Sequence, residues 1–212
     1  MQGRMLVFAR RARGILPIIA GLLLGHVLLA GSARGAAGAG EFLTELSDRA
    51  IAQMTEPGIS EAEKERRFRL LVDEGFDIPA IGKFVIGRYW RGASPAEQED
   101  FLATFKDMMV QRFLPVFEEY SGERLSVDLV RPFATGSHIF SVSSELKRPK
   151  GEPFKVDWRV LQSDSGYKIV DIIAEGVSIA VTLRSEYTSV LKNNGGNVGE
   201  LTRVLRRKIT GG

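Results

Sequence analysis

The stretch Phe154-Lys155-Val156-Asp157-Trp158-Arg159-Val160-Leu161-Gln162 decides how this chain is read. Phe154, Val156, Trp158 and Val160 alternate with Lys155, Asp157 and Arg159. A period of two with one apolar and one charged face marks a strand buried on one side only. Ser163-Asp164-Ser165-Gly166 follows as a hairpin turn, so the run from Tyr167 to Ile173 is expected to return antiparallel. Upstream, SVDLV (126–130) and HIFSVSSEL (138–146) keep the same period. The pattern predicts a curved, four-stranded, mainly antiparallel sheet.

On both sides of these strands the period changes to that of helices. Phe42, Leu43, Leu46, Ala50, Ile51 and Met54 predict a helix over 41–54, closed by Pro57-Gly58. Ser60 with Glu63 forms a capping-box signature for a second helix ending before Gly75, with Phe68, Leu71 and Val72 as its apolar face. A third, over 78–88, follows the cap residue Asp77 and should turn Ile81, Phe84 and Val85 inward. Ser94-Pro95-Ala96-Glu97 opens the longest, expected to reach Tyr120 with a kink at Pro115. It carries a wide stripe of Phe101, Phe105, Met108, Met109, Phe113, Val116, Phe117 and Tyr120, whose ordinary reading is core packing. Two carboxyl-terminal helices, over 178–193 and from Asn197 onward, complete an α+β domain in which helices wrap the sheet from both ends.

Export is written in the first forty residues. They hold five arginines and no acidic residue, then the apolar run Ile15–Ala30, then the small-residue stretch GSARGAAGAG. This is the three-part order of a secretory signal peptide, and a run interrupted by Pro17, Gly21, Gly25 and His26 falls short of the roughly 20 apolar residues that span a bilayer. The leader is expected to occupy about residues 1–36, with 37–212 as one domain. The cleavage site is expected within about 32–39, where several small-residue pairs suit the peptidase, among them Gly31 with Ala33 and Ala37 with Ala39. Removing these arginines takes 29 basic residues to 24 against 26 acidic ones, so the formal charge moves from +3 to −2. A nucleic-acid binder needs a basic surface, and this composition argues against one.

The chain has no cysteine, and His138 is the one histidine beyond the leader, so neither a thiolate metal site nor an imidazole cluster is expected, and no cofactor motif is present. Glu97-Glu99 and Glu118-Glu119 read as solubilising charges on a helix. The best enzymatic alternative is a cone-shaped pocket of the ketosteroid-isomerase kind, for which Asp157, Asp171 and Tyr167 are the strand candidates. Asp157 is expected to face water and Asp171 a turn, so a non-catalytic protein is favoured.

Phe76-Asp77-Ile78, Gly87-Arg88-Tyr89-Trp90, the SPAEQEDF helix start and Asp171-x-x-x-Glu175-Gly176-x-Ser178 together resemble the MlaC, or toluene-tolerance, family over about residues 41–209. The resemblance implies a periplasmic phospholipid carrier with a deep apolar pocket. It would work between an inner-membrane ABC-type complex and an outer-membrane lipoprotein or porin complex. A related branch accompanies hopanoid production, which implies a polycyclic lipid as the alternative cargo. The chain departs from the family pattern at Phe113, where a tyrosine is expected. On this reading the pocket is lined by Phe140, Val142, Val156, Trp158 and Val160 of the strands, facing Phe105, Met109, Phe113 and Val116 of the long helix. Tyr89, Trp90 and Tyr187 are placed at its mouth.

Overall fold

A computed structural model describes residues 16–117, 120, 122–149 and 151–211, with side chains from residue 35 onward; Glu118-Glu119 and residues 1–15 of the expected leader lie outside the described residues. Five strands form one antiparallel sheet in the order β1-β2-β3-β4-β5: β1 Arg124–Pro132, β2 Ile139–Lys147, β3 Phe154–Ser163, β4 Gly166–Ala174 and β5 Val177–Ser178. The fifth strand is an addition to the four expected. It is two residues long, because Ser178 already caps the next helix through its side chain.

The register explains the faces. Val142 pairs with Trp158 and Val156 with Ser144, so the apolar residues of β3 and those of β2 share the inner face. On the outer face, Asp157 accepts a hydrogen bond from Ser143 Oγ at 2.5 Å and Arg159 donates to Ser141 Oγ at 2.6 Å. The edge strand β1 carries a bulge at Asp128, where the pairing slips between Val127 and Leu129.

Helices α1 Leu16–Met54, α2 Glu61–Gly75, α3 Ile78–Ile86, α4 Pro95–Phe113, α5 Ile179–Asn193 and α6 Val198–Thr210 pack on the inner face and on one another. None among the described residues is long and apolar enough to cross a membrane. Helix α1 begins well before the expected residue 41, and its Gly/Ala-rich part lies directly against the sheet. At α4 both halves of the capping box form, with Ser94 Oγ accepting from Glu97 N and the Glu97 carboxylate accepting from Ser94 N. At α2 only the serine half forms, because the Glu63 carboxylate turns to Arg66 and Arg67.

Two expectations need correction. The α-helix stops at Phe113 and continues as a 3-10 turn over Leu114–Phe117, so Pro115 ends the helix instead of kinking it. A proline has no N–H for the ladder, and its ring crowds the carbonyl four residues back. Phe84, expected inside, is 42% exposed; the Arg184 guanidinium lies 4.8 Å from its ring centre, and Ile86 takes the interior position instead.

Candidate functional site

The inner face of the sheet is closed by helices at one end and hollow at the other. At the closed end Phe101 and Phe105 of α4 stack at 5.8 Å, Tyr187 of α5 meets both edge-on, and Leu183, Leu191, Leu201 and Leu205 fill the remaining space. Each such side chain contributes about 1.5–3 kcal/mol on burial. At the hollow end the helices stand off the sheet and leave a cavity of about 860 Å³, within the roughly 300–1,000 Å³ range of small-molecule sites.

Four walls make this cavity. Helix α1 contributes Leu43, Leu46, Ser47, Ala50 and Ile51, and α2 contributes Phe68, Leu71 and Val72. The end of α4 and the 3-10 turn supply Met109, Phe113, Val116 and Phe117, with Phe117 edge-on to Phe68 at 5.6 Å. The sheet supplies Leu125, Leu146, Phe154, Val156, Trp158, Ile169, Ile172 and Ala174. Phe76, Ile78 and Ile179 close the remaining gaps. Polar groups are confined to Ser47, Tyr120, Glu123 and Arg148 among the lining residues, besides the Trp158 indole N–H. Val116, 61% exposed, and exposed Arg148 place the opening between the 3-10 turn and the β2–β3 hairpin. There the Arg148 guanidinium lies 5.6 Å from the Phe154 ring centre.

One polar arrangement keeps this wall apolar. Trp158 Nε1 donates to Ser144 Oγ at 2.9 Å, and Ser144 Oγ donates to the Val156 carbonyl at 2.8 Å. Ser144 is buried on the inner face, so the indole N–H is satisfied inside the sheet while the ring lines the cavity.

Of the residues expected to line a pocket, Met109, Phe113, Val116, Val156 and Trp158 do so. Phe105, Phe140, Val142 and Val160 do not: all four are buried in packed core. Phe105 points to α5, and the Phe140 ring is met by α1 at Gly35. None of Tyr89, Trp90 and Tyr187 sits at the opening. Trp90 borders a separate shallow groove with Pro95 and Leu102, Tyr89 lies by Gly196 and Arg88, and Tyr187 is 4% exposed in the aromatic cluster. Burial, followed by the nearby Glu186 charge, raises the Tyr187 pKa above its ordinary value, and its hydroxyl finds no hydrogen-bond partner among the described residues.

The α1 and α2 walls went unassigned at the sequence level because cavity-lining and core-filling helix faces share one periodicity. The three candidates for acid-base work are dispersed and outside the lining. Asp157 bonds Ser143 on the outer face, and the Tyr167 hydroxyl donates to the Gly35 carbonyl at 3.2 Å. Asp171 accepts from Ser178 Oγ at 2.6 Å and from Ala180 N at 3.0 Å, fastening the start of α5.

Fold and site together define an α+β domain built around an apolar, ligand-sized chamber. Residues 44–207 match the sequence model of the family described as MlaC protein, and the chain belongs to that family. The intermembrane phospholipid transport system binding protein MlaC of Haemophilus influenzae is 20% identical over 121 residues, 56% of each chain. The toluene tolerance protein ttg2D of Pseudomonas putida is 22% identical over 123 residues, 58% of this chain and 56% of that one. The chain thus matches these curated relatives over 56% of their length. A phospholipid-binding protein from Ralstonia solanacearum, solved in complex with a phospholipid, superposes with a TM-score of 0.70 over 81% of this chain and 97% of its own. At 21% identity that likeness establishes a common fold.

Proposed function

We propose that this protein is a non-catalytic lipid carrier of the periplasm, exported by a cleaved leader, which holds the acyl chains of a phospholipid in the cavity. The observation that carries the reading is the chamber itself, about 860 Å³ walled by aliphatic and aromatic side chains in a member of the MlaC family. Relatives named for phospholipid transport and phospholipid binding support the choice of cargo. Met109, Phe113 and Phe117 suit flexible chains, because a polarisable thioether and flat rings accept many shapes. Polar groups gathered near the opening leave the headgroup toward water.

The size of the hydrophobic effect dictates how such cargo moves. Each methylene transferred from water contributes about 0.8 kcal/mol, so two chains with about thirty methylenes gain roughly 24 kcal/mol. Release into water is therefore too slow for transport. A bilayer offers nearly the same environment as the chamber, so exchange by contact is close to neutral in free energy. The carrier thus hands lipid to an inner-membrane ABC-type complex on one side and exchanges with an outer-membrane lipoprotein or porin complex on the other.

Protein purified from a periplasmic extract should yield phospholipid on solvent extraction and mass spectrometry, near one molecule per chain. A polycyclic lipid in its place would make the cargo a hopanoid, and protein that never carries lipid would end the carrier reading. With a labelled lipid, the transfer rate should rise with acceptor-vesicle concentration and stall across a dialysis membrane.

A further inference from the structure

The small residues before the first expected helix are small for a reason the export signal does not supply. Gly35, Ala39 and Gly40 are buried, and Ala39 is 0% exposed. A Cβ on Gly35 would come within 2.7 Å of the Phe140 ring and 2.8 Å of Gln162 Oε1, and one on Gly38 within 2.4 Å of Tyr167 Oη. At Gly40 the nearest atom, Val130 Cγ2, is 3.1 Å away. Tyr167 donates its hydroxyl to the Gly35 carbonyl and sets its ring 6.0 Å from that of Phe42. The segment thus touches β1, β2, β3 and β4 at once, and only a helix face without side chains comes so close.

A signal peptidase also reads small residues, and several pairs in this stretch suit it, among them Gly31 with Ala33 and Ala37 with Ala39. A cut after Ala39 would remove the core residue Ala39, uncover Phe140 and take away the acceptor of Tyr167. A cut after Ala33 leaves all of these in place. Resting on the export reading above, we infer that the leader is removed at the Ala33–Arg34 bond and that 35–40 stay in the mature protein as a cleat fastening α1 to the sheet. Water adds across that amide, leaving a carboxylate on Ala33 and an ammonium on Arg34. The cleat serves the cavity, because Leu43, Leu46, Ala50 and Ile51 of the same helix form its α1 wall.

The full chain, expressed in an exporting Gram-negative host, tests this by intact mass of the soluble periplasmic protein. The expected mature chain begins at Arg34. Ala33→Leu should abolish processing, whereas Ala37→Leu, at an exposed position, should leave it unchanged. A chain beginning at Gly40, or blockage by Ala37→Leu instead, overturns the inference while leaving export intact. Full-length wild-type chain held in the membrane pellet overturns the export reading and this one with it. The cleat is tested separately with chains produced without a leader. The one starting at Gly40 should melt several degrees below the one starting at Arg34 and lose bound lipid faster to acceptor vesicles; equal melting and equal retention would show that the segment fastens nothing.

Discussion

Phe105 and Phe113 stand about two turns apart on α4, and they meet opposite surroundings. Phe105 is fully enclosed by Phe101 and Tyr187, while Phe113 faces the chamber beside Met109 and Val116. Residue type does not separate them; what lies across from each does. Tyr187 of α5 fills the space across from Phe101 and Phe105, and α6 packs along α4, whereas after Phe113 the chain leaves the helix at Pro115 and the α1 and α2 walls stay apart from the sheet. An apolar stripe therefore becomes core or container according to whether a partner supplies side chains of matching volume.

The largest expected effect tests that contrast directly. Phe105→Ala should cost about 3–5 kcal/mol, the range for emptying a packed aromatic site. Phe113→Ala in lipid-free protein should cost less than about 1 kcal/mol, because it widens a space that already exists. Urea unfolding of both variants measures the difference, and equal losses would mean that the hollow end is packed in solution. A smaller effect belongs to the polar support of the wall. Ser144→Ala leaves the Trp158 N–H buried without its acceptor and should cost about 1–3 kcal/mol by the same measurement, while Ser144→Thr, if it keeps the hydroxyl in place, should restore most of it.

The smallest effect, and one of opposite sign, is expected at the solid end. Tyr187→Phe removes an unpartnered hydroxyl and should leave stability unchanged or raise it by about 1 kcal/mol, with lipid content unaltered. Burial raises the Tyr187 pKa, so the folded state favours the neutral phenol. Its contribution is whole below the unfolded value of about 10 and is lost as pH rises from there toward the folded pKa. Alkaline unfolding should accordingly begin at higher pH in the phenylalanine variant. Loss of lipid from that variant would return Tyr187 to the mouth of the chamber.

The strands were readable because alternation such as Phe154, Val156, Trp158 and Val160 records which face is buried. The helix starts were readable because Ser94-Pro95-Ala96-Glu97 and Asn197 carry their caps in sequence. Periodicity reports burial and says nothing of what fills the space beyond, so Val142 and Val160 were grouped with Val156 although only Val156 reaches the cavity. Gly35 and Gly38 hid their role for a related reason, since a glycine that touches a sheet and a glycine before a cleavage site look the same in one dimension.

The two edges of the sheet bear on where this domain could associate with another copy of itself. An open sheet edge is a template on which another chain can add a strand. Here β1 is interrupted by the bulge at Asp128 and ends on Pro132, which has no N–H to offer, while β5 presents two residues before the chain turns into α5. Neither edge provides a run long enough to nucleate a shared sheet. A domain with an apolar chamber that opens to water has two routes to self-association, through the chamber and through the sheet. With the second denied, the chamber is the one apolar opening through which such contacts could form among the described residues.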